Sequence, residues 1–196
     1  MIKRSIDILV CIFILILFFP ILVITYLMIL IIDRQNPFFS QIRSGQNSRE
    51  FHLYKFKSMK LNHTSNKLIV TKLGKYIRLL KIDELLQIIN VLKNEMSIIG
   101  PRPLYTEFDN FYKKNHRLRL KVKPGITGLA QIKIKDSTNW NIKFNYDVIY
   151  VKNLSLKLDL YILFKTIMIL INSVINKKSR PIESLDYKKD FYDKYL

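Results

Sequence analysis

Cysteine and acidic residues are both scarce in this sequence. Cys11 is the only cysteine among 196 residues, which excludes an intrachain disulfide and is consistent with a reducing compartment. Fifteen acidic residues stand against 33 lysines and arginines, for a net charge of +18. This surplus predicts anionic partners: nucleic acid, an acidic membrane surface or phosphorylated substrates. Because hydrophobic residues make up 49% of the chain, a membrane is the better-supported partner and nucleic acid is not expected.

Glycine is also rare, and the common phosphate-binding and metal-binding motifs are missing. The five glycines form neither a Walker A loop nor a GxGxxG fingerprint. The three histidines, His52, His63 and His116, are scattered along the sequence, and Cys11 lies in a hydrophobic segment. No zinc site is therefore predicted.

Charge is absent from one long run, ILVCIFILILFFPILVITYLMILII, at residues 8–32. As a helix with a rise of about 1.5 Å per residue, it is long enough to cross a bilayer core of about 30 Å. It lacks the small-residue cleavage pattern of a signal peptide. Two arrangements stay open. A spanning helix would place the basic bulk in the cytoplasm and the N-terminus outside. A re-entrant helix, bent at Pro20, would return to the face it entered.

The rest of the chain predicts an α+β fold, mostly helical with a small β-sheet. Residues 37–59 read as extended segments around a turn at residues 44–47, and the alternation at residues 51–56 predicts a strand. The polar stretch 61–67 predicts a loop.

Apolar periodicity predicts amphipathic helices over residues 82–93 and 108–121, and a strongly apolar helix from Asp159 onward. The uncharged part of this last helix, after Lys165, is short for a bilayer, so a buried or interfacial helix is expected. The chain thus divides into three predicted parts: a membrane helix at 1–34, a cytoplasmic catalytic domain at 35–176 and a C-terminal tail at 177–196.

Asp83 and Glu84 stand side by side at the predicted start of the helix over residues 82–93. Such a pair can simply complement the helix dipole, which is worth about 0.3–1 kcal/mol. Adjacent helical side chains point about 100° apart, so the two carboxylates are not expected to share one proton. They are suited to divided labour, one attacking and one binding metal or moving a proton.

Two arginines accompany the acid pair. Arg102 is held between Pro101 and Pro103, and Arg78 precedes Asp83 by five residues. A restrained guanidinium suits bidentate phosphate recognition, although a stiff turn with a solvated arginine gives the same pattern. Together these residues predict an anion site with a nucleophile inside it. A basic surface over residues 113–123 is either a solvated face or a contact with anionic lipid headgroups, each charge being worth about 1 kcal/mol there.

These motifs together resemble the monotopic phosphoglycosyl transferases, the bacterial sugar transferase family that starts lipid-linked glycan assembly. The resemblance runs from Lys3-Arg4 to about Ile167. It includes FSQIRSG (39–45), YKFKSM (54–59), Asp83-Glu84-Leu85, MSIIGPRP (96–103), KPGITGLAQI (123–132) and LKLDLYILFKTI (156–167).

The resemblance implies a two-step transfer at the cytoplasmic face of the bacterial inner membrane. Asp83 would attack the β-phosphorus of a UDP-sugar, release UMP and hold the phosphosugar covalently. Polyprenyl (undecaprenyl) phosphate would then accept the phosphosugar. Glu84 would assist through metal or proton handling, with Mg²⁺ held by Asp83 and Glu84. The resemblance also favours the re-entrant helix.

The resemblance further assigns phosphate contacts to Arg78 and Arg102, and the polyprenyl-phosphate end of the site to Pro101 and Pro103. Lys135 stands where the family has an arginine; lysine keeps the charge but not the planar fork. The alternative to an enzyme is a non-catalytic basic module that recruits anionic lipids or protein partners at the membrane. The sugar and the oligomeric state stay open, a homodimer being one expectation.

Overall fold

The computed structural model describes residues 2–62, 67–134 and 139–176; the predicted tail lies outside them. The uncharged run forms a single long helix, α1, at Ile2–Met28, which a π-helical segment extends through Ile29–Asp33. Pro20 lies inside α1. Most side chains of the run are exposed, as expected for a surface that lipid would cover.

Both ends of this helical run contact the rest of the protein. Near the start, the Arg4 guanidinium donates a 2.6 Å hydrogen bond to the Val91 carbonyl. Near the end, the Thr71 hydroxyl donates to Asp33 Oδ2 at 2.8 Å. The two termini of the apolar run are therefore fixed to one and the same domain.

The described strands form three two-stranded sheets rather than one. The predicted turn and strand are confirmed: the hairpin β1–β2 is antiparallel and closes through a 3₁₀ turn at Gln46–Ser48. The loop predicted at residues 61–67 is wrong at both ends, because Leu61, Asn62 and Lys67 pair in a second antiparallel sheet; residues 63–66 lie outside the described residues. The third sheet is parallel. The strands are β1 Phe38–Ser44, β2 Glu50–Phe56, β3 Met59–Asn62, β4 Lys67–Val70, β5 Ser97–Ile99 and β6 Gly125–Thr127.

Helices make up most of the structure, as predicted. They are α2 Lys72–Leu79, α3 Gln87–Leu92, α4 Leu129–Lys133, α5 Trp140–Lys152 and α6 Leu156–Ile175. The helix predicted over residues 108–121 is wrong: two 3₁₀ segments, Thr106–Phe111 and His116–Lys121, replace it. The aromatic side chains of Phe108 and Tyr112 are anchored in a core cluster with α5, which fixes the path of this segment.

The last helix begins three residues before the predicted Asp159, where the Ser155 hydroxyl caps it by accepting from the Leu158 amide. Over its 20 residues, α6 is long and apolar enough to cross a membrane, as is the run from Ile2 to Asp33. Only Asp159 and Ile162 are buried in α6, so of the two expected arrangements the buried helix is wrong, and the interfacial helix stays a prediction. Two exposed apolar helices indicate membrane association.

The parallel sheet positions the Pro101-Arg102-Pro103 segment, which follows β5 directly. A Cβ atom on Gly125 would lie 2.0 Å from the Gly100 nitrogen, so the two backbones approach as only glycine allows. The Gly125 amide donates to the Pro101 carbonyl at 2.9 Å. This contact ties the start of the arginine loop to β6.

Candidate active site

Asp83 and Glu84 lie in a 3₁₀ turn, Ile82–Glu84, between α2 and α3. Lys81 precedes the turn with a left-handed φ of 58°. The Glu84 amide donates to the Lys81 carbonyl at 3.2 Å, an i−3 bond. The α-helix proper begins only at Gln87, so the prediction of one helix over residues 82–93 with the acid pair at its head is wrong. The tight turn, rather than a helix dipole, positions the pair.

Glu84 is surrounded by cations from three parts of the chain. Its Oε1 lies 3.5 Å from Lys55 Nζ on β2, 3.7 Å from Lys81 Nζ and 3.7 Å from Arg102 Nη2. Burial alone would raise the pKa of Glu84, but the nearby Lys81, Lys55 and Arg102 outweigh it and lower that pKa. Glu84 is therefore a stable carboxylate that organises positive charge.

Lys55 belongs to the same cluster through its contact with Glu84. Its burial lowers the pKa of the ammonium group, while the Glu84 carboxylate opposes that shift. The sequence placed Lys55 in a motif without assigning it a role. Because strand alternation gives the face of a side chain but not its neighbour across the fold, the sequence carried no signal for the pairing.

Asp83 contrasts with its neighbour. It is 7% exposed, and its buried Oδ1 accepts no hydrogen bond from the described part of the chain. Burial, followed by repulsion from Glu84, raises the pKa of Asp83, against the attraction of Lys55, Lys81 and Arg78. A carboxylate whose Oδ1 has no partner among the described residues, and which lies near several cations, is suited to attack an electrophile.

The predicted phosphate-binding residues gather here in part. Arg102 contacts Glu84, and Pro101 and Pro103 on either side of it are buried. Arg78 acts on Asp83 electrostatically, and its Nη1 donates to the Ser58 hydroxyl at 3.4 Å. Lys135 lies outside the described residues.

A buried arginine behind the loop fixes the position of Arg102. Arg119 Nη2 donates to the Arg102 carbonyl at 2.6 Å, while Nη1 donates to the Tyr112 hydroxyl at 2.6 Å. Arg119 Nε pairs with Asp147 Oδ2 at 3.0 Å. Sequence reasoning counted Arg119 among the basic surface residues and gave Asp147 no role.

Comparison with known proteins gives the family of this chain. The sequence model of one family, described as bacterial sugar transferase, matches residues 1–173. The chain belongs to the bacterial sugar transferase family. As a member of this family of polyprenyl-phosphate phosphosugar transferases, it is a sugar-phosphate transferase, and the alternative of a non-catalytic module is set aside.

Several curated relatives of this sugar transferase cover most of its length. It is 40% identical over 171 residues to the uncharacterized sugar transferase EpsL of Bacillus subtilis, covering 84% of this chain and 85% of the relative. A UDP-N-acetylgalactosamine-undecaprenyl-phosphate N-acetylgalactosaminephosphotransferase of Aeromonas hydrophila is 40% identical over 85% of this chain. A UDP-glucose:undecaprenyl-phosphate glucose-1-phosphate transferase of Klebsiella pneumoniae is 36% identical over 90% of it. The matched regions span only 43% and 41% of these two longer relatives.

Proposed function

We propose that this sugar transferase moves a sugar 1-phosphate from a UDP-sugar to polyprenyl (undecaprenyl) phosphate, with release of UMP, through a covalent intermediate on Asp83. The observation that carries the proposal is the buried Asp83 carboxylate, unpartnered within the described residues and set beside cations. The names of relatives that act on undecaprenyl phosphate with UDP-sugars support the substrate classes.

In the first step, an Asp83 oxygen attacks the β-phosphorus of the UDP-sugar. A bond forms between that oxygen and phosphorus, and the bond from the β-phosphorus to the bridging oxygen breaks. UMP leaves with the bridging oxygen. Lys55, Arg102 and Arg78 stabilise the negative charge on the transferring and leaving groups, which is the main protein contribution in phosphoryl transfer.

In the second step, a phosphate oxygen of polyprenyl phosphate attacks the same phosphorus. A diphosphate linkage forms, and the bond to Asp83 breaks to restore the free carboxylate. When Asp83 and the acceptor phosphate are ionised, neither nucleophile has a proton to lose, so a general base is not needed. This suits Glu84, because a carboxylate with a lowered pKa is a weak proton acceptor.

The fit of a magnesium ion differs between the two acidic residues. Mg²⁺ is usually held by one or two carboxylates together with substrate phosphates and water. Asp83 fits, because its Oδ1 lacks a partner among the described residues. Glu84 fits less well, because three cations compete for its Oε1. The described residues contain no cluster of three or more potential ligands. We propose Asp83 as the main protein ligand; bound Mg²⁺ would neutralise diphosphate charge.

The re-entrant form of the α1 run is part of the proposal. The contacts of Arg4 with Val91 and of Asp33 with Thr71 attach both ends to one domain. A helix crossing the bilayer would carry its ends to opposite sides, about 40 Å apart for 29 residues at 1.5 Å each. The shared docking favours entry and exit at the same face, which we assign to the cytoplasmic side of the bacterial inner membrane. Anionic headgroups would interact with the basic surface there.

A labelling experiment tests this function. Purified protein with Mg²⁺ is incubated with UDP-N-acetylgalactosamine, UDP-glucose or UDP-galactose, the sugars that occur in the relatives' names. One donor should release UMP and leave a phosphosugar mass on the peptide that contains Asp83. Polyprenyl phosphate should then discharge the adduct. The Asp83→Asn variant should give neither signal, and normal turnover by that variant would refute the mechanism.

A further inference from the structure

A cleft has Lys55 and Arg102, two of the cations that contact Glu84, as part of its lining. Several residues that line it have no role in the two-step transfer proposed above. Gln87, Arg43 and Tyr105 belong to the same lining. A ligand whose phosphates lie at Lys55 and Arg102 would therefore extend its remaining part along this lining.

Gln87 is the unexplained residue in the cleft. It is 4% exposed and lines the cleft. Its amide takes part in none of the hydrogen bonds among the described residues. Buried amides are normally paired, and the Gln87 amide is not one of the fully buried atoms that lack a partner among the described residues, so water in the cleft can reach it. Because the amide adjoins the cleft, a ligand is the natural source of its missing partners.

The chemistry of the lining narrows the class of ligand. Its described residues include Arg43, Lys55 and Arg102 but no aspartate or glutamate, so it offers hydrogen-bond donors and suits an acceptor-rich group. Tyr105 and the apolar Leu53 border the same space, and such side chains pack against planar rings. A long isoprenoid chain fits this lining less well, because it would remove water from Arg43, Lys55 and Arg102 without offering them a hydrogen-bond acceptor.

A uracil ring meets these conditions. Its imide edge carries one N–H donor between two carbonyl acceptors. The Gln87 amide carries one carbonyl acceptor and one NH₂ donor, so it can form two hydrogen bonds with that edge. We propose that the cleft is the uridine subsite and that Gln87 recognises the uracil edge, while Lys55 and Arg102 hold the adjoining phosphates. This inference rests on the proposed function, because it takes the donor to be a UDP-sugar.

The Gln87→Leu variant tests the subsite, because leucine is of similar size and cannot form hydrogen bonds. We expect UMP binding, measured by calorimetry on the detergent-solubilised protein, to weaken about 5- to 100-fold for the loss of two hydrogen bonds. Binding of pyrophosphate, which has no base, should not change. The KM for the UDP-sugar should rise by a similar factor while kcat stays the same, because the base is bound equally in the ground and transition states.

A stability measurement separates recognition from a structural role. If Gln87 only supports the fold, leucine should lower the melting temperature and weaken UMP and pyrophosphate binding together. If it binds uracil, the melting temperature without ligand should stay level or rise, because no protein hydrogen bond is lost. Gln46→Leu is a matched control, since the Gln46 amide donates to the Lys121 carbonyl at 2.8 Å and lies outside the cleft lining. It should bind UMP as the wild type does.

Two outcomes distinguish the subsite from the reaction. If wild-type protein turns over a UDP-sugar but Gln87→Leu keeps the wild-type KM and UMP affinity, the subsite is refuted and the transfer reaction stands. If wild-type protein binds UMP and Gln87→Leu weakens it, the subsite is supported even where no tested donor is turned over. Absence of UMP binding to the wild-type protein would overturn the subsite.

Discussion

Replacing the proposed nucleophile should make this protein more stable while it abolishes activity. Asp83 is 7% exposed and its Oδ1 is buried without a partner among the described residues. An unsatisfied buried polar group costs about 1–3 kcal/mol. The Asp83→Asn variant keeps a polar side chain of nearly the same shape but removes the buried charge, which costs more to desolvate than a neutral group, so we expect its free energy of unfolding to rise by about 1–3 kcal/mol. For a chain of this size, this corresponds to a melting temperature about 2–12 °C higher.

The effect should depend on pH in a defined direction. The pKa of Asp83 is raised by burial and by Glu84, so the folded protein holds this proton more tightly than the unfolded chain does. The wild type therefore loses stability as pH rises from the ordinary aspartate pKa, about 3.9, through the raised one. The variant has no such group. Its advantage should grow as pH rises above the ordinary aspartate pKa and should vanish in acid, below that pKa.

Asp159→Asn is the matched control for this measurement. Asp159 is also 7% exposed, but it is partnered: the Tyr150 hydroxyl lies 2.8 Å from Oδ1 and Lys3 Nζ lies 2.6 Å from Oδ2. Loss of charge-assisted bonds costs about 1.5–3 kcal/mol, less whatever solvent screens at the partly exposed lysine, so this variant should be less stable. Thermal unfolding in one detergent at pH 4 and pH 7 measures both variants. A destabilised Asp83→Asn protein would refute the claim that Asp83 is unsatisfied.

Three further predictions follow from other contacts. Arg102→Lys should lower kcat/KM for the UDP-sugar about 10-fold, because lysine keeps the charge and loses the planar fork; an unchanged value would remove Arg102 from phosphate binding. Arg119→Gln should lower the free energy of unfolding by about 3–5 kcal/mol, because Asp147 would be left unpaired in the interior. It should also raise the KM for the UDP-sugar, because the Arg102 carbonyl would lose its hydrogen bond to Arg119. Denaturant unfolding measures the first effect and steady-state kinetics the second. Cysteines introduced at Ile2 and Asn36, with the native cysteine replaced by alanine, should both react with an impermeant maleimide only from the cytoplasmic side; periplasmic labelling of the first would refute the re-entrant helix.

The sequence predicted the mostly helical fold with small sheets, and it predicted Asp83, Glu84 and Arg102 as one site. These residues could be predicted because the local sequence distinguishes them: two acids stand in a basic chain, and an arginine is restrained by prolines. It did not predict the 3₁₀ turn that carries the acids. The apolar pattern after Ile82 is helical, and the i−3 bond from Glu84 to Lys81 that interrupts it depends on a left-handed backbone at Lys81, which carries no strong sequence signal.

The supporting residues were less predictable because their partners are distant in the sequence. Arg119 and Asp147 are 28 residues apart, and the Arg102 carbonyl that Arg119 holds is 17 residues upstream. A basic stretch gives no sign that one of its arginines is buried. Phe108 and Tyr112 form a core cluster with α5, and Arg119 lies against the Phe144 ring of that cluster. This packing depends on the tertiary structure and leaves no local signal in the sequence.

Because acidic residues are scarce in this chain, the lack of a partner for Asp83 Oδ1 among the described residues is unusual. In a chain of net charge +18, a carboxylate can easily find a cation or a donor. The other buried aspartates of the described chain do so: Asp7 accepts from the Ser97 hydroxyl and the Ile98 amide, Asp33 from Thr71, Asp147 from Arg119 and Asp159 from Lys3. Each of these carboxylates joins two segments that are distant in the sequence. Among the described residues Asp83 joins no such pair of segments, although cations that stabilise Glu84 lie next to it. An unsatisfied Asp83 carboxylate lowers the stability of the folded protein. We expect it to form its missing bond only when the substrate is present.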